Sequence, residues 1–245
     1  MIGPALLIVV ESGEDLIDDG AVAVLVTAVQ RALPAVHVVT ARLAMPDPEL
    51  GVVLASELDG GEPVVAVPLM LSPGVRVHDD LARELQSDAS RRSTLVPALG
   101  SDDAVVELMA RRLHRTGLAA GDVVVMAAAG SSDHHAVRDT IEVGRRLAHV
   151  LERYVTVGFF TAAAPRLPAA VDTMRRLHPG SRVAVASYLL SAGRFTDAVA
   201  EAGGDLVAAP LLMPGHRAPA ALVELLVDRY QQGVAQLEVV AAEHP

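Results

Sequence analysis

Short, uninterrupted apolar runs alternate with longer stretches in which apolar residues recur at helical spacing. In the first half the runs predict strands near 5–10, 36–41, 63–70 and 93–97, with helices near 15–32, 48–59, 77–87 and 102–115. The second half repeats the order, with strands near 122–128, 153–159, 181–188 and 205–209 and helices near 133–152, 166–178, 193–202 and 218–235. The runs are Val-rich and apolar on both faces, as expected of parallel strands covered by helices. Asp102 stands where a helix N-cap belongs, and Arg111, Arg112 and Arg115 sit where the end of that helix favours cations. The pattern predicts an α/β fold of two doubly wound parallel sheets. Ligands in such sheets bind beyond the carboxyl ends of the strands.

The two halves also resemble each other in sequence. Val64 to Gly74 aligns without a gap on Val183 to Gly193, an offset of 119 positions. At the same offset Val36 to Pro46 falls on Val155 to Pro165, and Leu7 to Val10 matches Val125 to Ala128 at an offset of 118. A half-length repeat implies two similar lobes, 1–117 and 122–245, joined near Gly117 to Gly121 and facing each other across a cleft.

Composition narrows the chemistry. Half of the 245 residues are hydrophobic but only 2% are aromatic, so Ala, Val and Leu must build the core. Cysteine is absent, which removes disulfides, thiolate catalysis and iron–sulfur ligation. Every basic residue is Arg, which excludes a lysine Schiff base and a Walker-type phosphate loop. A net charge of −10 argues against a nucleic-acid partner. No run approaches the ~20 apolar residues that span a bilayer, so no membrane partner is expected. The N-terminus lacks the marks of a signal peptide, and a cytoplasmic location is expected. Lobes that cover each other within one chain favour a monomer over a homodimer.

The loops after the first and third strands of each half carry the candidate chemistry. They include AAAGSSD at 127–133, PLMLSPGVRVHDDL at 68–81 and its echo SYLLSAGRFTD at 187–197. With the repeat itself, these stretches resemble the sirohydrochlorin chelatases, or class II chelatases, in their two-lobed form, over nearly the whole chain. The resemblance implies an acidic tetrapyrrole held between the lobes and Co²⁺ or Fe²⁺ as the substrate metal. It also implies one His in an HGS loop after the first strand, a second in a GxHVxxD loop after the third, and an acidic residue after the second strand.

This chain departs from that pattern at all three positions. The first His falls on Glu11 and Ala129, the second on Arg76 and Phe195, and the acid on Arg42 and Thr161. Three readings follow. In a pseudoenzyme, metal insertion is lost, Arg42 and Arg76 grip ligand carboxylates, and Gly74 and the Gly130-Ser131-Ser132 loop complete the ligand site. Fixed cations there repel a divalent metal, and Arg cannot become a ligand. In a shifted active site, Glu11 and His78 take over catalysis and metal contact. In a scaffold or interaction protein that keeps only the architecture, Glu11, Arg42 and Arg76 neutralise each other in a closed cleft.

The remaining candidates have simpler roles. Asp133 reads as an N-cap. His134 and His135 are adjacent and point to different faces of a helix start. His216 is expected on the surface, and His114, His149 and His178 at helix ends. His37 reads as a packed strand residue and His244 as part of a terminal tail.

Overall fold

The computed structural model describes residues 3–11, 17–43, 56, 58, 61–88 and 91–243, without the side chains of 194 and 240–243. Two four-stranded parallel sheets form the frame. The first contains β1 (Ala5–Glu11), β2 (Val38–Leu43), β3 (Val64–Leu69) and β4 (Ser93–Leu95), in the order β2-β1-β3-β4. The second contains β5 (Val123–Ala128), β6 (Val155–Phe159), β7 (Val183–Tyr188) and β8 (Leu206–Val207), in the order β6-β5-β7-β8. The helices are α1 (Asp19–Ala32), α2 (Gly74–Gln86), α3 (Asp103–Arg115), α4 (His134–Val150), α5 (Leu167–Leu177), α6 (Arg194–Glu201) and α7 (Ala220–Glu243). The helix expected over 48–59 and the tail carrying His244 lie outside the described residues. No described helix is long and apolar enough to cross a membrane.

Both central strands of each sheet are buried on both faces, as their almost wholly apolar runs require, with only the terminal Glu11 exposed. Asp18, Asp102 and Asp133 cap α1, α3 and α4, each carboxylate accepting a backbone N–H in the first turn.

Strand register tests the repeat. Ala5 pairs with Val64 and Val123 with Val183, so β1 corresponds to β5 at the offset of 118 and β3 to β7 at 119. The second strands differ from expectation. Leu6 pairs with Val38 and Val124 with Val155, so β2 corresponds to β6 at an offset of 117, with Val38, not Val36, matching Val155. Arg42 accordingly corresponds to Phe159, not to Thr161. A slip of two residues leaves every side chain on the same face, so the alternation of buried positions cannot detect it.

The halves are interlocked. Helix α7 packs on β3, β4 and α1 of the first sheet, while α3 packs on β7 and α4 of the second. Gly233 of α7 lies so close to Val65 that an added Cβ would meet its Cγ1 at 2.3 Å. Tyr230 donates to the Pro4 carbonyl at 2.7 Å and Thr94 to Gln236 at 2.8 Å. This packing carries α7 past its expected end at 235, with Leu237 still buried. One apolar core therefore runs from Leu6 and Ile8 to Leu222 and Leu237 and fastens the lobes together.

Candidate functional site

A cavity of about 380 Å³ opens between the lobes, where the carboxyl ends of β1, β3, β5 and β7 converge. The first lobe contributes Glu11, Ile17, Leu69 to Pro73 and Val77. The second contributes Ala128 to Ser131, Ala136, Thr140, Thr161, Tyr188 to Ser191, Gly193 and Phe195. Its walls are apolar groups, hydroxyls and the single carboxylate of Glu11. The volume lies near the lower end of the ~300–1,000 Å³ of small-molecule sites.

Glu11 ends β1 and is exposed at the mouth. Apolar walls behind it desolvate the carboxyl and push its pKa above the ordinary value. No cation is paired with Glu11 among the described residues. Arg42 lies in β2, away from the cavity lining, and is ion-paired with Asp19 at the start of α1. Arg76 and His78 are exposed on the first turns of α2, outside the lining, and His78 Nδ1 lies 3.8 Å from Asp79. The closed network of Glu11, Arg42 and Arg76 is therefore not formed.

Gly130 and Ser131 line the cavity, and Ser132 is exposed beyond them. Gly130 has a positive φ of 87°, and an added Cβ would stand 2.1 Å from the Thr161 carbonyl. Glycine is required there by both conformation and space. Gly74, at the start of α2, also has positive φ, and an added Cβ there would stand 2.6 Å from the Asp133 carboxylate.

Asp133 joins the two lobes. One carboxylate oxygen accepts from His135 of its own helix at 2.8 Å, the other from Val75 of α2 at 3.0 Å. These backbone hydrogen bonds, His135 first, hold its pKa below the usual carboxylate value. They also explain why α2 begins at Gly74, three residues before its expected start, although Pro73 supplies no cap.

The cavity floor holds groups that sequence reasoning missed. Tyr188, at the end of β7, is buried and donates across the lobes to the Leu71 carbonyl at 2.9 Å. Its hydroxyl lies 3.1 Å from Ser72 Oγ, and Ser72 lies 3.2 Å from Thr140 of α4. Burial, then the charge of Asp139, pushes the Tyr188 phenol far above its ordinary range. Gly100 abuts this contact: a Cβ there would stand 1.6 Å from the Leu71 carbonyl oxygen and 2.3 Å from the Tyr188 hydroxyl.

Phe195 lines the cavity at the position matching Arg76 and stacks on Phe160, with centroids 4.9 Å apart and an interplanar angle of 18°. Four of the six aromatic residues (Phe159, Phe160, Tyr188 and Phe195) thus gather at the carboxyl end of the second sheet. In a chain with 2% aromatics, that clustering was the available signal. His134 and His135 have ring centroids 4.0 Å apart, and His135 Nδ1 is 2.7 Å from Arg138. Among the described residues no three His, Asp or Glu side chains are grouped to hold a metal ion.

The comparisons with known proteins agree with this geometry. A family model described as CbiX matches residues 7–116 and again 123–213. Among solved structures the chain is similar to SirB from Bacillus subtilis with Fe³⁺, at 18% identity and a TM-score of 0.74, over 96% of this chain and 97% of that one. It is also similar to CbiX, the terminal enzyme for biosynthesis of siroheme in denitrifying bacteria, at 21% identity and 0.66, over 93% and 98%. A third is DR2241 from Deinococcus radiodurans, a multi-domain protein with structural similarity to chelatases, at 17% and 0.64, over 94% and 56%. None of the curated proteins compared with the chain matches it.

Proposed function

The chain belongs to the CbiX family, and from that premise we propose that it binds an acidic tetrapyrrole such as sirohydrochlorin in the inter-lobe cavity without inserting a metal. The observation that carries the reading is the lining itself. Apolar walls and the Phe160–Phe195 stack suit one edge and face of a flat macrocycle. The positions that the family resemblance assigns to histidine carry Glu11, Ala129 and Phe195 on these walls, and Arg76 outside them. Ala129 and Phe195 offer no side-chain donor to Co²⁺ or Fe²⁺. Glu11 offers a single carboxylate whose charged form is disfavoured by desolvation. Arg42 is already paired to Asp19, so the reading assigns it no ligand carboxylate and leaves the acidic rim of the macrocycle to solvent at the mouth.

An absorbance titration with sirohydrochlorin tests the reading. A saturable spectral shift with one site per chain supports it. Absence of any shift leaves a scaffold that keeps only the family architecture.

A further inference from the structure

The charge on the cavity lining lies on one side only. Among the described side chains that line it, Glu11 alone can be ionised near neutral pH. At the repeat offset of 118 its counterpart in the second lobe is Ala129, so no matching charge stands on the opposite wall.

Nothing among the described residues offsets this carboxylate. It has no ion-pair or hydrogen-bond partner there, and burial against apolar walls is the one influence on it. The arginines expected beside it are elsewhere: Arg42 is ion-paired with Asp19, and Arg76 lies outside the lining. A carboxylate set against apolar walls is screened less than one in open water, and a cleft lined by a single sign of charge concentrates its field on whatever enters. Its effect on an anionic ligand is repulsion.

We propose that Glu11 sets the ligand specificity of the cavity by rejecting carboxylates from the entering edge of a flat ring. The inference rests on the tetrapyrrole reading and refines it. That reading leaves the acidic rim of the ring at the mouth, where Glu11 stands. A macrocycle with carboxylates on every edge must bring one of them towards Glu11 as it enters. A macrocycle whose carboxylates share one edge enters by the opposite, uncharged edge and meets no such opposition. The site therefore favours tetrapyrroles with an uncharged edge, and it binds a ring acidic all round, such as sirohydrochlorin, against the repulsion of Glu11.

Fluorescence titrations at pH 8 with uroporphyrin, which carries carboxylates on every pyrrole ring, and deuteroporphyrin, which carries them on one edge, test this. Glu11→Gln removes the charge and keeps the shape. It is expected to tighten uroporphyrin binding roughly tenfold, the scale of one like-charge approach in a partly wet mouth, and to leave deuteroporphyrin within about twofold of wild type. Added salt should narrow the difference between wild type and Glu11→Gln for uroporphyrin. Glu11→Asp keeps the charge and should keep the wild-type preference. Circular dichroism of each variant reports whether it is folded. An equal change for both rings in Glu11→Gln, or no change, overturns the role of Glu11 while leaving tetrapyrrole binding intact. Failure of wild type and both variants to bind either ring removes the tetrapyrrole reading, and the inference about Glu11 with it.

Discussion

The contact between Tyr188 and Leu71 predicts how strongly one hydroxyl fastens the lobes. Tyr188→Phe keeps the ring that fills the floor and deletes its hydroxyl, which is both the donor to the Leu71 carbonyl and the neighbour of Ser72 Oγ. A buried carbonyl stripped of its partner costs about 1–3 kcal/mol, reduced somewhat because one hydroxyl fewer is desolvated. For a chain of this size each kcal/mol moves the melting temperature by about 2–4 °C, so the expected loss is roughly 2–10 °C at pH 7. The pH dependence follows from the raised phenol pKa. Between the ordinary phenol range and the raised native value, the unfolded chain ionises Tyr188 and the native one does not. Wild type therefore loses stability as pH rises through that range. The variant lacks this component, so the gap should narrow in alkali. Thermal melts by circular dichroism at neutral and alkaline pH are the assay. A variant melting within about 1 °C of wild type at pH 7, with a gap unchanged in alkali, would refute the reasoning.

Further outcomes are expected. Gly100→Ala drives a methyl group into the Leu71 carbonyl, which is backbone and cannot swing away, so the loss should reach the upper end of the roughly 1–3 kcal/mol of overpacking, measured by urea unfolding. Glu11→Gln should leave stability unchanged in acid and raise it at neutral pH. The wild-type carboxylate, with its raised pKa, loses stability as pH climbs through its titration range, and melts across pH check the sign. Phe195→Ala should weaken sirohydrochlorin binding roughly three- to tenfold with the fold intact, followed by absorbance titration.

The sheets were legible because their central strands are short, almost wholly apolar runs, and strands of that kind pack between layers of helices. The position of the cavity followed from topology alone, since parallel strands deliver their loops to one edge. Asp102 and Asp133 were legible as caps because capping is local. What escaped was long-range. Asp133 also caps α2 from 58 positions away, and Tyr188 reaches a backbone carbonyl 117 positions away that no sequence pattern marks. The exchange of α3 and α7 between sheets was hidden because an amphipathic helix suits either sheet equally well. Arg42 was expected beside the cleft on an alignment two residues out of register. In place it lies opposite Val10 in β2 and is ion-paired with Asp19.

The most direct test of the central claim is the rate of metal insertion. Sirohydrochlorin bound to the protein is mixed anaerobically with Co²⁺ or Fe²⁺, and the metallated spectrum is followed against a protein-free control. The account predicts a saturable spectral change on binding the ring, with insertion no faster than in the control. Insertion clearly above the control would contradict it and direct mutagenesis to Glu11 and His78.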